Sequence, residues 1–323
     1  MNPRLTALAG SAVLALTALV PAAAHAQGTA KPDPTKPGAK VPGTSRTITA
    51  AQAQACFVWQ GGVTADGSHH FKDPTATVPP QVPNDWQTPK VYKPGQVRLS
   101  ARQTIEPNIS GTDRYGYLVI GDALYFSGYT GYEDGTTDGP VSLTRVGGGW
   151  STFRFLEAAE YLSPDNKIYR NAAYGLKGDV LYRWTVSDKG VWRSTGSFAG
   201  LSAVKTMTLI AKTPTYDTFL ANTRGGALYT IRLTVGSSKP IVKPVRTRSW
   251  QGFETLSAMG CGQYGTLLLG IDKDTKKGYL YAVGHANGLS TVIQSRGEVP
   301  GTFDDPVDFR WVPIPVYDVA NGD

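Results

Sequence analysis

The sequence predicts an all-β fold, and three observations lead to this prediction. The 323 residues include 37 Gly and 22 Pro, and only 18% are charged. This composition is typical of many short strands joined by tight turns. Stretches such as residues 224–233 alternate between polar and apolar side chains, as a half-buried strand does. Two short segments also recur along the chain.

The recurring segments identify the architecture. A Leu-Tyr pair preceded by glycine ends at Tyr125, Tyr182, Tyr229 and Tyr281. A large ring followed three residues later by an apolar residue begins at Trp150, Phe198 and Trp250. The interval from ring to tyrosine is 31 or 32 residues, whereas the interval from tyrosine to the next ring varies from 16 to 25. The constant interval indicates a packed module, and the 47–57-residue period matches a four-stranded β-propeller blade.

The length of the repeat region sets the expected number of blades. Residues 51–323 number 273, which at about 50 residues a blade predicts a propeller of about five four-stranded blades, with six possible. The last unit is incomplete after Trp311, and residues 312–317 are expected to form one more strand. The first and last segments of the domain would then share a blade and close the ring.

Individual segments refine this prediction. Residues 266–271 are an apolar run, as expected for an inner strand covered on both faces. Residues 239–248 combine Pro with Lys and Arg, which favours an outermost edge strand over an anion-binding stripe. Residues 73–94 are rich in proline and are predicted to be a long ordered loop.

The first residues have the pattern of a secretion signal. Arg4 precedes an apolar stretch that ends at Pro21, and Ala24-His25-Ala26 is a small-x-small cleavage pattern, so residues 1–26 are predicted to be a signal peptide cleaved near Ala26. Residues 27–50 are expected to be a disordered linker rich in Pro, Lys and Gly. The domain would then be residues 51–323. We expect a secreted, extracellular monomer without stable membrane insertion.

The net charge indicates which kinds of ligand to expect, and the cysteine content predicts a disulfide. Removing the leader lowers the net charge from +7 to +6, which favours anionic or polar extracellular ligands, such as acidic glycans, or only a solvated basic surface. We expect no nucleic-acid partner. The two cysteines, Cys56 and Cys261, predict one disulfide in an oxidising compartment.

No catalytic constellation is evident in the sequence. His69-His70 is predicted to lie in a surface loop, and residues 272–278 to form a hairpin turn and not a calcium loop. Asp304, Asp305 and Asp308 are the only tight acidic cluster, which Pro306 assigns to a solvated turn. We therefore expect no metal site and no cofactor, and an enzyme is the less favoured interpretation.

Aromatic residues in the variable intervals are the candidates for ligand binding. Sugars stack their apolar faces on Trp or Tyr, while polar groups bind their hydroxyls. The candidate ligand-binding residues are Tyr129, Tyr132, Asp134, Trp184, Trp192 and His285.

One unit of the repeat resembles a known family. Gly148-Gly149-Trp150-Ser151-Thr152-Phe153-Arg154-Phe155-Leu156, then residues 163–170, then Gly178-Asp179-Val180-Leu181-Tyr182-Arg183, resemble a tachylectin-like repeat over about 40 residues. The unit at 250–281 keeps the Trp, the Phe and the Leu-Tyr pair, and the unit at 198–229 has lost the Trp. The resemblance implies a five-bladed propeller that recognises sugars such as N-acetylated hexosamines.

Three functional hypotheses follow. The first is a secreted, lectin-like carbohydrate-binding propeller without catalysis. The second is a secreted hydrolase of a cell-wall or extracellular polymer, using carboxylates such as Asp304 and Asp308. The third is a cell-surface scaffold for protein interactions.

Overall fold

Strands dominate the computed structural model, which describes residues 55–132, 135–263, 265–314, 317, 318 and 320–323. The predicted signal peptide and linker lie outside the described residues, while Ala53–Asp323 form one compact unit. The strands are β1 (Gln60–Val63), β2 (Ser68–Lys72), β3 (Asp85–Lys90), β4 (Val97–Pro107), β5 (Thr112–Ile120), β6 (Ala123–Gly131), β7 (Ser142–Gly147), β8 (Phe153–Leu162), β9 (Tyr169–Lys177), β10 (Val180–Val186), β11 (Trp192–Phe198), β12 (Val204–Lys212), β13 (Tyr216–Thr223), β14 (Leu228–Thr234), β15 (Ile241–Arg246), β16 (Thr255–Cys261), β17 (Gly265–Asp272), β18 (Lys277–Val283), β19 (Ile293–Val299) and β20 (Val307–Val312).

Antiparallel sheets of four consecutive strands are the repeating unit. They are β8–β11, β12–β15 and β16–β19. The other strands form one continuous sheet in the order β3-β2-β1-β20-β4-β5-β6-β7. In that sheet β20 and β4 are parallel and pair only through Trp311 with Gln103 and Val312 with Thr104. This sheet therefore consists of two antiparallel groups of four strands with a short parallel junction.

The innermost strand of each group contacts the innermost strands of the neighbouring groups; it is the first strand of its group along the chain in four groups and the last, β20, in the fifth. Strand β4 lies against β8, β8 against β12, β12 against β16, and β16 against β20, which pairs with β4. Four-stranded antiparallel sheets arranged in such a cycle are a β-propeller. The prediction of an all-β propeller is thus confirmed by the strand topology.

The first and last strands close the ring, as predicted. Strand β1 pairs antiparallel with β20, with Gln60 opposite Arg310 and Val63 opposite Val307. The closing strand nevertheless begins earlier than the predicted residues 312–317. It ends at Val312 because Pro313 lacks the amide hydrogen that would continue the ladder.

The predicted disulfide joins the same region to its neighbour. The Cys56 and Cys261 sulfurs are 2.02 Å apart, and their Cα atoms are 5.5 Å apart. Cys261 is the last residue of β16, so the bond ties the segment before β1 to the adjacent sheet. The prediction that the pair links the start of the domain to a late repeat is confirmed.

Two of the three predicted rings occupy equivalent places: the Trp150 amide donates to Asp122 O and the Trp250 amide to Gly226 O, each just before a Leu-Tyr pair. In the remaining unit Leu201 makes this bond, to Asp179 O, and Phe198 is instead the last residue of β11, so its assignment to the repeat was wrong.

The constant interval from Trp150 to Tyr182 contains β8, β9 and the start of β10, and the variable interval contains the outermost strand. The predicted edge strand is β15, the outermost strand of its sheet, and the apolar run at 266–271 is the buried part of β17. The turn between β17 and β18 is the predicted hairpin, with Asp272 opposite Lys277.

Two predictions for the first strands were wrong. The region at 73–94 contains β3, which pairs with β2 and stacks Trp86 on Phe71 with ring centroids 4.9 Å apart. His69 and His70 lie on β2, not in a surface loop, and both are buried. His69 is enclosed by the rings of Tyr92, Tyr129, Phe309 and Trp311, and the His70 ring lies between the carboxylates of Asp85 and Asp305.

Candidate binding groove between two sheets

A groove of about 680 Å³ lies between sheets β4–β7 and β8–β11. One wall is formed by side chains of β5 and β6, and the opposite wall by side chains of β8, β9 and β11. The loop between β10 and β11, residues 187–191, lies at the mouth. The groove therefore opens on the face of the ring where the innermost strands end.

The first wall is aromatic because β5 and β6 alternate. Tyr115 and Tyr117 are two residues apart on β5 and so point to one face, where Phe126 of β6 joins them. The Tyr117 ring contacts Phe126 and Trp192 edge-on, with centroids 5.2 and 4.9 Å apart. Phe126 is 37% exposed, so apolar ring surface is available to a ligand.

The base of the groove is a chain of polar contacts. Arg102 donates from Nη2 to Glu160 Oε2 at 2.5 Å and from Nη1 to Thr104 Oγ1 at 2.9 Å. The Tyr169 hydroxyl donates to Glu160 Oε1 at 2.8 Å, and Asn171 Nδ2 donates to the Tyr169 hydroxyl at 3.3 Å. Within the described residues, the buried Asn171 Oδ1 has no hydrogen-bond partner.

These contacts define what the groove offers at neutral pH. Burial, together with the hydrogen bond to Glu160, raises the pKa of Tyr169 to about 12. Burial and Glu106 likewise raise the pKa of Tyr115 above its ordinary value. Both phenols are therefore neutral. The groove presents aromatic rings, a neutralised Arg102–Glu160 pair and an amide acceptor that needs a donor.

The predicted ligand residues do not all meet at one place. Trp192 lines the groove, and Trp184 lies beside it with ring centroids 5.5 Å apart, in a hollow of about 370 Å³. His285 is exposed in the loop after β18, in a different sheet. Asp134 lies outside the described residues.

Tyr129 lies on β6 and Tyr132 just after its end, and the two residues have different surroundings. Tyr129 is 8% exposed, and its hydroxyl lies 2.8 Å from His69 Nδ1. Tyr132 lines a separate hollow of about 320 Å³ with Trp86 and Arg114. Tyr129 therefore packs β2 against β6, while Tyr132 lies at a surface.

The sequence did not point to several groove residues that lie on strand faces. They are Tyr115, Tyr117, Phe126, Tyr169 and Asn171. The available signal was the spacing of two in Tyr115-x-Tyr117, just before the recurring Gly-Asp-Ala-Leu-Tyr segment.

The acidic cluster is not the solvated turn that was predicted. Asp305 lies 2.7 Å from His70 Nδ1, and Asp308 is buried with Lys273 Nζ at 2.6 Å and Thr255 Oγ1 at 2.7 Å. Burial raises the pKa of Asp308 despite Lys273. Only Asp304 is exposed, 3.6 Å from Lys276. The prediction failed because the innermost strand β20 begins directly after Pro306, at Val307, and carries Asp308 into the interior.

The described residues include neither a cluster of metal ligands nor a membrane-spanning helix, as the side-chain geometry and the hydropathy of the chain indicate. No group of three or more His, Cys, Asp or Glu side chains there could hold a metal ion. No helix in that part of the chain is long and apolar enough to cross a membrane.

No family model matches the chain, and no curated protein does. Similar solved structures include the α-L-arabinofuranosidase from Podospora anserina in complex with cellotriose, with 11% identity, 67% of this chain and 73% of that chain covered, and a TM-score of 0.44. The catalytic domain of the Coprinopsis cinerea GH62 α-L-arabinofuranosidase is 12% identical over 72% and 74% of the two chains, with a TM-score of 0.43. The WD40 domain of SCAP from fission yeast is 10% identical over 75% of this chain and 52% of that chain, with a TM-score of 0.34.

Proposed function

We propose that the chain is a secreted, non-catalytic carbohydrate-binding protein built on a five-bladed propeller. The observation that carries this proposal is the groove between sheets β4–β7 and β8–β11. It combines exposed aromatic surface with hydrogen-bonding groups in about 680 Å³, a volume within the range of small-molecule sites.

The chemistry of the groove fits a saccharide. A pyranose ring has a face of C–H groups that stacks on aromatic rings such as Phe126, and hydroxyls that both donate and accept. Asn171 Oδ1 is a buried acceptor that a hydroxyl or amide N–H of the ligand would satisfy. Leaving such a group unpaired costs about 1–3 kcal/mol, which favours a ligand that supplies the donor. The resemblance to a tachylectin-like repeat supports the same class of ligand.

Five blades follow if each group of four strands counts as one blade. The innermost strands β4, β8, β12, β16 and β20 contact one another in a cycle. The grooves between the blades are not equivalent, since residues 320–323 run along β12 and Asp323 Oδ2 accepts from Arg232 Nη2 at 2.7 Å. We therefore expect one saccharide site here and not a ring of five.

Secretion is proposed from the leader and from the disulfide. The Cys56–Cys261 bond is consistent with an extracellular protein, because disulfides persist in oxidising compartments.

The test is a glycan array with residues 27–323, followed by titration of the best ligand. We expect selective, metal-independent binding that free sugar competes, and a loss of about tenfold or more in Phe126→Ala. Leu289→Ala is the control, because Leu289 is 62% exposed and lies outside the groove. The absence of any glycan ligand for a well-folded sample would refute the proposal. Release of reducing sugar in the same samples would favour the hydrolase hypothesis, which stays a prediction, as does the scaffold hypothesis.

A further inference from the structure

A second cavity, of about 280 Å³, lies at the centre of the ring. Every innermost strand contributes to its wall through its first half, so the cavity opens on the face opposite to that of the groove. Its lining includes Arg98, Glu157, Thr208, Ser257 and Arg310, from β4, β8, β12, β16 and β20 in turn.

Two buried side chains on this wall have hydrogen-bond donors without partners. Arg310 is 3% exposed, and its Nη1 donates to Asp318 Oδ1 at 2.8 Å. Its Nε and Nη2 have no hydrogen-bond partner among the described residues. Ser257 is 4% exposed, and its Oγ also has no partner in the described part of the chain. A buried donor without an acceptor is destabilising, and more so when it is charged, so these donors indicate a ligand.

The geometry of the free donors selects the chemistry of that ligand. The Nε–H and Nη2–H bonds lie along one edge of the planar guanidinium and point the same way. This edge matches two oxygens of a carboxylate, phosphate or sulfate group in a bidentate pair. Because Nη1 is held by Asp318, which also accepts from Lys212 Nζ at 2.7 Å, the guanidinium is fixed in place.

The charge of the wall also favours an anion. Its basic residues are Arg98, Arg102, Arg154, Lys273 and Arg310, and its acidic residues are Glu157, Glu254 and Asp308. Two of the acids are paired, Asp308 with Lys273 and Glu254 with Lys205. Glu157 Oε1 accepts from the Ala158 amide at 2.9 Å, and the Glu157 charge also acts on Arg310. Arg102 is also paired, with Glu160, whereas Arg310 shares its one acceptor, Asp318, with Lys212. Arg98 and Arg154 donate to backbone carbonyls, so an excess of positive charge remains on the wall.

We propose that the central cavity is a binding site for a small oxyanion. One carboxylate, phosphate or sulfate group accepts from Nε and Nη2 of Arg310, and the Ser257 hydroxyl donates to the same group. The volume of about 280 Å³ admits a free anion or a small molecule that carries one, and excludes a polymer. This site is separate from the proposed saccharide groove, so Phe126→Ala is expected to keep it.

The test is thermal unfolding and calorimetric titration of residues 27–323 with sodium acetate, glucuronate, phosphate and sulfate at constant ionic strength. We expect a saturable rise in Tm with at least one anion. A response to acetate or glucuronate would identify a carboxylate ligand, and a response restricted to phosphate or sulfate would identify an inorganic or esterified one.

The variants link that response to the named donors. Ser257→Ala removes a hydroxyl that has no partner in the described residues, so it is expected to fold normally and to weaken binding about tenfold, the loss of one hydrogen bond to a charged group. Arg310→Lys removes the paired Nε–H and Nη2–H donors and is expected to abolish binding. Ser194→Ala and Arg232→Lys, outside the cavity, are the matched controls. No saturable response to any of the four anions, or responses in Ser257→Ala equal to those of the unaltered chain, would overturn the proposal even if Arg310→Lys fails to fold.

Discussion

Cys56 and Cys261 are bonded to each other although 205 positions separate them in the chain. Cys261 ends β16, the innermost strand of its sheet, while Cys56 precedes β1, which pairs with β20 of the next sheet. The bond therefore joins the two sheets that meet where the ring closes.

Removing this bond is expected to destabilise the domain markedly. A cross-link that closes so long a loop restricts the unfolded chain, and its loss costs about 2–5 kcal/mol. Cys56→Ala/Cys261→Ala should therefore unfold at a lower temperature and a lower denaturant concentration than the unaltered chain. Reductant should lower the Tm of the unaltered chain and leave the double variant unchanged. Equal stability of the two proteins would contradict this prediction.

His69 and His70 are neighbours on β2 with opposite protonation behaviour. Burial and the nearby Arg114 charge lower the pKa of His69 to about 3, and four aromatic rings lie within 5.1–5.5 Å of its ring. Burial also opposes the charge on His70, but hydrogen bonds to Asp305 and Asp85 outweigh it and raise its pKa. The difference arises because adjacent strand residues face opposite sides of a sheet.

The two histidines are expected to give the unfolding free energy opposite pH dependences. His69 is neutral in the folded state, so its contribution falls as the pH drops from 6.5 toward 3, by at most about 1.4 kcal/mol per pH unit. The His70 contribution is present below pH 6.5 and is lost as the pH rises through its raised pKa. Urea unfolding between pH 4.5 and 8.5 measures both.

Substitutions assign the two limbs of that profile. His69→Phe should flatten the acidic limb, and His70→Gln should flatten the alkaline limb. Two variants that both keep the profile of the unaltered chain would show that other groups set it.

Arg170 and Asp217 form a bidentate ion pair between neighbouring sheets. Arg170 Nη1 and Nη2 donate to the two Asp217 oxygens at 2.7 and 2.5 Å, and the Tyr174 hydroxyl donates to Oδ2 at 2.5 Å. Asp217 is fully buried.

Asp217→Asn is expected to lower the unfolding free energy by about 3–5 kcal/mol. It would leave the Arg170 charge buried without its partner, which costs more than the loss of the pair itself. Chemical denaturation measures the change. The control is Glu298→Gln, since Lys277 and Glu298 pair at 3.0 Å while both are 47% exposed, and such pairs contribute at most about 1 kcal/mol. Similar losses in the two variants would be inconsistent with a special role for burial.

The sequence predicted the fold more fully than the groove. The spacing of Trp150 and Tyr182, which recurs at Trp250 and Tyr281, is enough to recognise a module of three inner strands, because these residues hold equivalent places in their two sheets. Cys56 and Cys261 are the only cysteines, so their pairing needed no geometry. Local sequence patterns were therefore enough to predict the propeller architecture.

Side chains brought together from different sheets could not be predicted. Tyr117 and Trp192 are 75 residues apart in the chain and meet only because two sheets pack side by side. His70 and Asp305 are also far apart in sequence, and they contact each other only in the folded chain. The local sequence around either residue therefore does not predict that His70 is buried. Local rules give strand faces, whereas the site depends on which faces meet.

Trp184 and Phe126 are expected to contribute differently, Trp184 to stability and Phe126 to saccharide binding. Phe126 lines the groove, whereas Trp184 lines the neighbouring hollow. The Trp184 ring lies among Trp150, Phe153 and Trp192, at centroid distances of 5.5, 6.1 and 5.5 Å. Trp184→Ala is expected to cost about 3 kcal/mol of stability through the cavity it leaves, and to change glycan affinity little in the folded fraction. Phe126→Ala should do the reverse, with a small loss of Tm and a large loss of affinity. Thermal unfolding and glycan titration of both variants give the comparison. Because Trp184 supports Trp192, a large loss of affinity in Trp184→Ala at full folding would place the ligand in the hollow beside Trp184 and not in the groove.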